Sequence, residues 1–138
     1  MTNGCFDLLH IGHLRSLEQA KSFGDILVVG VNSDASVNSL KGDRRPIVSD
    51  IQRAEMVAGL HPVDYAFIFT EFTALESLQI IHPEVYAKSA DYDLAATPEG
   101  RYALANGIKL ATLTYEEGCS TTEIVDRTLT LGNKCSEA

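Results

Sequence analysis

The feature that most constrains the fold is the segment 25–32, which reads Asp-Ile-Leu-Val-Val-Gly-Val-Asn and contains a run rich in β-branched residues, bounded by Gly24 and Ser33. A strand with one face in water alternates apolar and polar side chains, whereas a strand covered on both faces has a continuous apolar run. Such doubly covered strands are typical of parallel sheets. The sequence therefore predicts a parallel sheet.

Helix-like and strand-like segments alternate along the rest of the chain. The helical segments have apolar residues three or four positions apart and begin at a capping residue, Asp50, Thr73 or Ser120, or end at Gly24. The pattern predicts helices over 10–23, 50–60 and 73–81 and from 120 onward, strands over 64–69, 84–88 and 108–114, a loop over 33–46, and mixed loop and helix over 92–106. This alternation predicts a doubly wound α/β fold, with ligands bound outside the carboxyl ends of the strands.

The N-terminus limits the first strand of such a fold. A strand is needed ahead of Gly4, and only Met1, Thr2 and Asn3 precede that residue. We expect either a truncated strand or a fold that tolerates a very short one. With 138 residues and 45% hydrophobic content, the chain can bury one sizeable core. We predict a single domain over 1–131 and a polar C-terminal tail over 132–138.

Composition excludes several classes of function. A net charge of −8 disfavours nucleic acid and anionic membranes as partners, because both attract basic surfaces. No apolar run approaches the ~20 residues of a membrane span, and the N-terminus does not resemble a signal peptide, so we expect a cytoplasmic protein. Cys5, Cys119 and Cys135 are odd in number and lack metal-type spacing, which predicts reduced thiols without a disulfide framework or structural zinc.

Two histidines stand three residues apart in the segment 4–13, directly after a glycine-containing turn. A helix beginning near His10 would place both imidazoles on one face of its first turn, beside main-chain N–H groups that favour phosphate. Gly12 leaves room for close approach of a ligand to the backbone. Asp7 is the nearest candidate for contacting magnesium or orienting a donor. A histidine pair alone also fits a structural role or a partial metal site.

Two further segments should lie at the same edge of the sheet, because each follows a predicted strand. One contains Lys41, Arg44 and Arg45 around Gly42, and the other, 116–122, ends in three hydroxyl residues at a helix start. Cationic side chains and the free N–H groups of a helix start both favour anions. A solvated loop or an ordinary N-cap would explain each segment alone. Together with the histidine pair, they predict a polyphosphate site.

The motif Gly4-Cys5-Phe6-Asp7 followed by His10-Ile11-Gly12-His13 resembles the GxFDxxHxGH signature of the cytidylyltransferase-like nucleotidyltransferases. The resemblance continues in order to about Arg127, through 31–34, 40–42 with 45–46, 52–53, 63–64, Lys88 with 91–92, and 118–122. The first motif is highly specific, and the match covers nearly the whole chain. The resemblance implies a Rossmann-like doubly wound parallel sheet of the nucleotidyltransferase (HIGH-motif) type.

The resemblance also implies a role for each position. His10, His13 and Lys41 would be catalytic, stabilising charge on the reacting phosphates of ATP, and Arg45 and Arg53 would contact a substrate phosphate. The nucleotide would be bound by the remaining motif residues, which are Gly4, Cys5, Phe6, Asp7, Gly12, Lys88, Asp91, Tyr92, Ser120, Thr121 and Thr122. Mg²⁺ would enter bound to ATP, without a metal site of the protein's own.

Within this superfamily the chain most resembles the D-glycero-β-D-manno-heptose 1-phosphate adenylyltransferases. They transfer AMP from ATP to the sugar phosphate, which gives ADP-heptose for lipopolysaccharide core biosynthesis. Ser89 and Ala90 replace two glycines usual in that group, which bears on the base preference. Glu116 and Glu117 lie in a segment where glycerol-3-phosphate cytidylyltransferases carry arginine, which disfavours CTP.

Two alternatives to this activity stay open. One is a CTP-dependent cytidylyltransferase acting on glycerol 3-phosphate or a related phosphate, and the other is a nucleotide-binding module without turnover. Retention of His10, His13 and Lys41 together favours catalysis, because a binding module could lose any of them. Homo-oligomers are common in this superfamily, so we also expect a possible homodimer.

Overall fold

A computed structural model describes residues 1–90, 93–114 and 120–136, with side chains described up to residue 132. Within these residues, the strands are β1 Thr2–Gly4, β2 Val28–Asn32, β3 Tyr65–Phe69, β4 Val85–Ser89 and β5 Lys109–Leu113. The helices are α1 Ile11–Lys21, α2 Asp34–Lys41, α3 Asp50–Ala58, α4 Leu75–Ile81, α5 Pro98–Ala105 and α6 Thr121–Ser136, and a 3-10 turn, Leu94–Ala96, precedes α5.

All the paired strands are parallel. β1, β2 and β3 form one ladder, and β4 and β5 form another. The N–H of Ala87 donates to the Met1 carbonyl at 2.9 Å, and the Thr2 hydroxyl donates to the Ala87 carbonyl at 2.8 Å. These bonds join the ladders side by side, so the strands lie in the order β3-β2-β1-β4-β5. Their carboxyl ends open a crevice between β1 and β4, where such folds bind ligands.

Apolar clusters cover both faces of the sheet. In one cluster, Leu17 of α1 and Val57 of α3 pack with the valines of β2. In the other, Leu78 of α4 and Ala103 of α5 pack with Tyr86 of β4. Helices on both faces of the sheet confirm the predicted doubly wound fold.

The segment predicted as a loop over 33–46 contains α2, so that prediction was wrong. The Ser33 hydroxyl caps this helix by accepting the N–H of Ser36 at 3.3 Å, and Val37 is fully buried. Most of the other positions of α2 are polar or small, which hides the helical periodicity of so short an element. The loop is therefore shorter and begins only after Lys41.

The other boundaries agree with the predictions to within two residues at most ends. The first strand is a three-residue stub. The caps differ by one residue, because Ser49 precedes α3 and Ala74 precedes α4 in place of Asp50 and Thr73. α6 continues to Ser136, so the first residues of the predicted polar tail are helical. No helix in the described ranges is long and apolar enough to cross a bilayer.

Candidate active site

A cleft of about 440 Å³ lies at the carboxyl ends of the strands. Small-molecule sites commonly measure about 300–1,000 Å³. Most of the predicted site residues line it, namely Gly4, Cys5, Phe6, Asp7, His10, Gly12, His13, Lys41, Lys88, Ser120, Thr121 and Thr122. Arg45 and Arg53 are not part of this lining. Asp91 and Tyr92 lie outside the described residues.

The two histidines stack on each other at the start of α1. His10 is the N-cap and His13 lies in the first turn, with ring centroids 3.8 Å apart and planes inclined by 26°. Within the described part of the chain, the Nδ1 atoms of both rings are buried without a hydrogen-bond partner. Buried polar atoms without partners cost free energy of folding. This arrangement therefore costs stability, and packing of the two rings alone does not offset it.

The loop between β1 and α1 has a strained backbone that fixes its path. Phe6 has a φ of +52°, in the left-handed region that large residues rarely adopt. Its ring folds back over β1, and a Cβ atom at Gly4 would lie 3.1 Å from that ring. On its other side, the Phe6 ring centroid lies 5.3 Å from that of His13. Gly4 therefore leaves room for Phe6, and Phe6 supports the histidine pair.

Both imidazoles are neutral near neutral pH. Burial is the largest cause that lowers the pKa of His13, and together with the nearby His10 and Lys41 it brings this pKa to about 4. Burial also lowers the pKa of His10, against an opposing effect of Glu123. A neutral imidazole has one N–H, and a buried Nδ1 without an acceptor is an unfavourable position for it. The rings are therefore suited to donating from Nε2 to a ligand oxygen.

Lys41 brings a positive charge to the same cleft from the last turn of α2. The ion pairs found among the described residues do not include it. α2 ends immediately afterwards at Gly42, whose φ of +89° turns the chain in a conformation that favours glycine. A lysine at a cleft without a carboxylate of its own is available to a phosphate.

The start of α6 is closed by two reciprocal hydrogen bonds. The Ser120 hydroxyl accepts the N–H of Glu123 at 3.1 Å, and the N–H of Ser120 donates to the Glu123 carboxylate at 3.0 Å. This capping box confirms the predicted helix start. The Thr121 hydroxyl lies 3.5 Å from the Leu8 carbonyl. The starts of α1 and α6 thus face one cleft, and both helix dipoles favour an anion there.

Asp7 is held by groups of the protein itself. Its side chain is 1% exposed, and its Oδ2 accepts from Arg45 at 2.8 Å. Its Oδ1 accepts the N–H groups of Ile47 and Val48 at 2.7 and 3.0 Å. Burial acts to raise the pKa of Asp7, but these hydrogen bonds and the Arg45 charge lower it overall. Of the two roles considered for Asp7, this geometry supports orienting a donor and not contacting magnesium.

Arg53 is also directed into the protein. Its side chain is 0% exposed, and its Nε donates to the Val48 carbonyl at 2.8 Å. The two terminal nitrogens donate to the Cys5 carbonyl and, at 2.8 Å, to the Asp34 carboxylate. This placement does not fit the predicted contact with a substrate phosphate. Arg53 instead ties the loop after β1 to α2 and α3.

Lys88 lies at the carboxyl end of β4, across the crevice from β1. Its Nζ donates to the Asn3 carbonyl at 3.1 Å, and the Tyr86 hydroxyl donates to the Asn3 side-chain oxygen at 2.7 Å. These bonds connect the two ladders at the crevice. They also fix the position of a second ammonium group at the cleft.

Comparison with known families agrees with this geometry. The family model described as cytidylyltransferase-like matches residues 1–127. The chain belongs to the cytidylyltransferase-like family. This confirms the family resemblance of the histidine motif, and with it the interpretation as a nucleotidyltransferase.

Individual relatives agree with this assignment. The bifunctional protein HldE of Geobacter metallireducens is 46% identical over 132 residues, which cover 93% of this chain and 26% of that protein. HldE of Nitrosococcus oceani is 45% identical over 126 residues, which cover 91% and 27%. The chain spans about a quarter of the length of these curated relatives. The lipopolysaccharide core biosynthesis protein of Thermoplasma volcanium GSS1 has a TM-score of 0.73 and 28% identity, covering 85% of this chain and 96% of that one.

The cytidylyltransferase-like cleft also contains residues to which the sequence analysis assigned no role in the site. Asn32 ends β2, and Ser16 lies one turn after His13 on α1. Asn32 could have been predicted because ligands bind at the carboxyl ends of parallel strands, and Ser16 because it lies three residues after His13 on one helix face. Phe72 and Glu99 also line the cleft, from the segment before α4 and from α5. No local signal distinguished them, because their approach to the cleft depends on tertiary structure.

The described residues contain no group of three or more His, Cys, Asp and Glu side chains placed to hold a metal ion. Both carboxylate oxygens of Asp7 are already engaged. Magnesium keeps several waters and is commonly bound through nucleotide phosphates with few protein ligands. The residues that the structure describes therefore offer no such cluster, and their arrangement is compatible with a magnesium ion that arrives with a nucleotide.

Proposed function

We propose that this chain transfers AMP from ATP to a sugar 1-phosphate, with D-glycero-β-D-manno-heptose 1-phosphate as the preferred acceptor. The observation that carries the proposal is the convergence of His10, His13, Lys41 and the start of α6 on one cleft. We call these groups the phosphate end. The motif resemblance to heptose 1-phosphate adenylyltransferases supports the acceptor, as does the likeness to a lipopolysaccharide core biosynthesis protein.

The phosphate end suits a triphosphate because it combines three kinds of donor. Lys41 supplies charge, the two imidazoles supply neutral N–H groups, and the starts of α1 and α6 supply main-chain N–H groups. The chain as a whole carries a net charge of −8, so attraction of a polyanion must be local. Magnesium bound with ATP would neutralise part of the triphosphate charge.

The reaction is an in-line displacement at the α-phosphorus. An oxygen of the acceptor phosphate forms a bond to that phosphorus, the bond to the β-phosphate oxygen breaks, and pyrophosphate leaves. A phosphate monoester with a second pKa near ~6 is largely dianionic at neutral pH, so it requires no general base. Neutral imidazoles that donate from Nε2, together with Lys41, would stabilise charge on the α-phosphate.

The remaining motif residues keep their predicted roles in this proposal, except for the two arginines. Gly4, Cys5, Phe6, Asp7 and Gly12 would shape the nucleotide side of the cleft, along with Lys88, Asp91, Tyr92, Ser120, Thr121 and Thr122. We propose that Arg45 and Arg53 position the loops that carry His10 and Lys41, because their guanidinium groups are bonded within the protein. A cytoplasmic location and a homodimer stay predictions.

A pyrophosphate-release assay tests the proposal. Magnesium with ATP or CTP is paired in turn with heptose 1-phosphate, glucose 1-phosphate and glycerol 3-phosphate. We expect the highest kcat/KM with ATP and heptose 1-phosphate. Turnover only with CTP would support the cytidylyltransferase alternative. Binding of ATP without release from any pair would support a non-catalytic module, and either result would contradict the proposal.

A further inference from the structure

One part of the cleft wall is formed by residues outside the family motifs. Phe72 and Thr73 precede α4, Leu94 belongs to the 3-10 turn, and Thr97 and Glu99 lie at the start of α5. None of these five side chains is cationic, in contrast to the phosphate end. We call these five residues the cation-free wall, and Glu99 is its one carboxylate.

The position of Glu99 is fixed from two sides. Thr97 caps α5 by accepting the N–H of Gly100 at 3.0 Å, and its hydroxyl donates to the Leu94 carbonyl at 2.7 Å. A Cβ atom at Gly100 would lie 1.8 Å from that carbonyl oxygen, so α5 lies directly on the 3-10 turn. Glu99 Oε1 then accepts the N–H of Ala74 at 3.1 Å. The carboxylate therefore joins α5 to α4 at the cleft.

The second oxygen of Glu99, Oε2, has no hydrogen-bond partner within the described part of the chain. An ionised carboxylate only accepts hydrogen bonds, and it repels phosphate. It therefore suits an uncharged donor such as a hydroxyl group. Beside it, the Phe72 side chain is 67% exposed and offers a flat apolar surface at the cleft. An aromatic ring packs against the C–H face of a sugar while the hydroxyls bond to polar groups.

We propose that the cation-free wall binds the hydroxyl-bearing carbon chain of the acceptor, with Glu99 as the specificity-determining residue. This inference rests on the proposed function. Glu99 accepts hydrogen bonds from hydroxyls through Oε2, Phe72 packs on the apolar side of the sugar, and the Thr73 hydroxyl is available as a second polar contact. The ribose of the nucleotide carries the same vicinal hydroxyl chemistry, so the experiment separates the two sources.

The first test substitutes Glu99→Gln, because glutamine keeps the size of the side chain and an oxygen for the Ala74 N–H. The matched control is Glu76→Gln, an exposed glutamate in the first turn of α4. With both substrates varied, we expect Glu99→Gln to raise the KM for the sugar phosphate roughly tenfold or more, since hydrogen bonds to charged groups are the stronger ones. The KM for ATP and the melting temperature of Glu99→Gln should stay at the wild-type values. The control Glu76→Gln should keep the wild-type KM for both substrates.

The second test substitutes Phe72→Ala, with Ile80→Ala as its control. Both residues are exposed, at 67% and 84%, so neither change should unfold the protein, and only Phe72 lines the cleft. We expect a several-fold rise in the acceptor KM for Phe72→Ala alone. Glycerol 3-phosphate presents fewer hydroxyls, and the loss caused by Glu99→Gln should be smaller with it than with the heptose.

Three results would overturn the subsite. The first is an unchanged acceptor KM in both variants. The second is a lower melting temperature with equal loss for every substrate, which would indicate that Glu99 only joins α4 to α5. The third is a raised KM for ATP that disappears with 3′-deoxy-ATP, which would assign Glu99 to the ribose. Failure of the proposed function is seen separately, as wild-type protein that releases no pyrophosphate with any acceptor.

Discussion

Two groups of polar and charged side chains lie close together in this fold but are arranged in opposite ways. The inner ion-pair network consists of Asp7 with Arg45 and Asp34 with Arg53, and each pair is 2.8 Å apart. The phosphate end, by contrast, has a lysine outside the ion pairs of the described residues and two neutral imidazoles that are suited to donating from Nε2 to a ligand oxygen. The first group is satisfied by the protein, and the second leaves groups for a ligand.

This difference separates positioning from binding. A guanidinium already bonded to a carboxylate and two carbonyls, as in Arg53, gains little from a phosphate that would have to displace them. Among the residues that the structure describes, Lys41 and the histidine pair have no such bonds to break. The central idea is therefore that the inner network holds the two loops in place and that the phosphate end acts on the substrate.

The largest effect on folding is expected for Arg53→Met. Removing the guanidinium leaves the Val48 and Cys5 carbonyls without their donor, whereas the Asp34 carboxylate is 44% exposed and can be solvated. Urea denaturation should therefore show a loss of about 2–4 kcal/mol in the free energy of unfolding. Arg15→Met is the control, because Arg15 forms only an exposed pair with Glu18. A stable Arg53→Met protein with a raised KM for a phosphate substrate would instead place Arg53 in substrate binding.

The largest effect on catalysis is expected for His13→Ala. Loss of a donor to the α-phosphate should lower kcat about 10²–10³-fold, while the free energy of unfolding should change by only ~1 kcal/mol. His61→Ala serves as the control, since that side chain is 73% exposed. Full activity in the His13 variant would remove this residue from the mechanism.

The buried histidine also predicts a pH dependence of stability. Folding lowers the pKa of His13 from 6.5 to about 4, so the unfolded chain binds more protons between these values and stability falls as pH decreases through them. Between about pH 7.5 and about pH 5, His13 alone should cost on the order of 2 kcal/mol. Urea denaturation of His13→Gln should show a smaller decrease than wild type. Equal decreases would contradict the buried neutral imidazole.

The smallest effect is expected at the start of α6. Ser120→Ala removes the oxygen that accepts the Glu123 N–H, and loss of such a cap costs about 1 kcal/mol. Thr130→Ala, on an exposed turn of the same helix, should cost less. Thermal denaturation of the two variants checks the difference. If Ser120→Ala raises the KM for ATP more than Thr130→Ala does, that result would support triphosphate binding at this helix start.

Much of the fold could be predicted from the sequence because its signals are local. The apolar run of β2 and the cap at Ser120 each depend on neighbouring residues, and the structure confirms both. The stop predicted at Gly24 comes earlier, because α1 ends at Lys21 with Ser22 as its C-cap. The crevice could be predicted too, because parallel strands end at one edge. α2 was missed because its single fully buried valine gives little periodicity.

The difference between the inner ion-pair network and the phosphate end could not be predicted in this way. Arg45, Arg53 and Lys41 are all basic residues near a predicted sheet edge, and the sequence contains no measure of their burial. Only tertiary structure shows that carboxylates from distant segments reach the two arginines, and that the ion pairs among the described residues leave out Lys41. The approach of Glu99 to the N–H of Ala74 is equally non-local.

The most direct test of the account is to follow oxygen atoms through the reaction. Heptose 1-phosphate with ¹⁸O in its three non-bridging oxygens is incubated with ATP, magnesium and the wild-type protein, and the products are analysed by mass spectrometry and ³¹P NMR. The account predicts an ADP-sugar with ¹⁸O in the bridge between its two phosphorus atoms, and unlabelled pyrophosphate. Label in the pyrophosphate, or ADP formed in place of pyrophosphate, would contradict attack by the acceptor phosphate on the α-phosphorus.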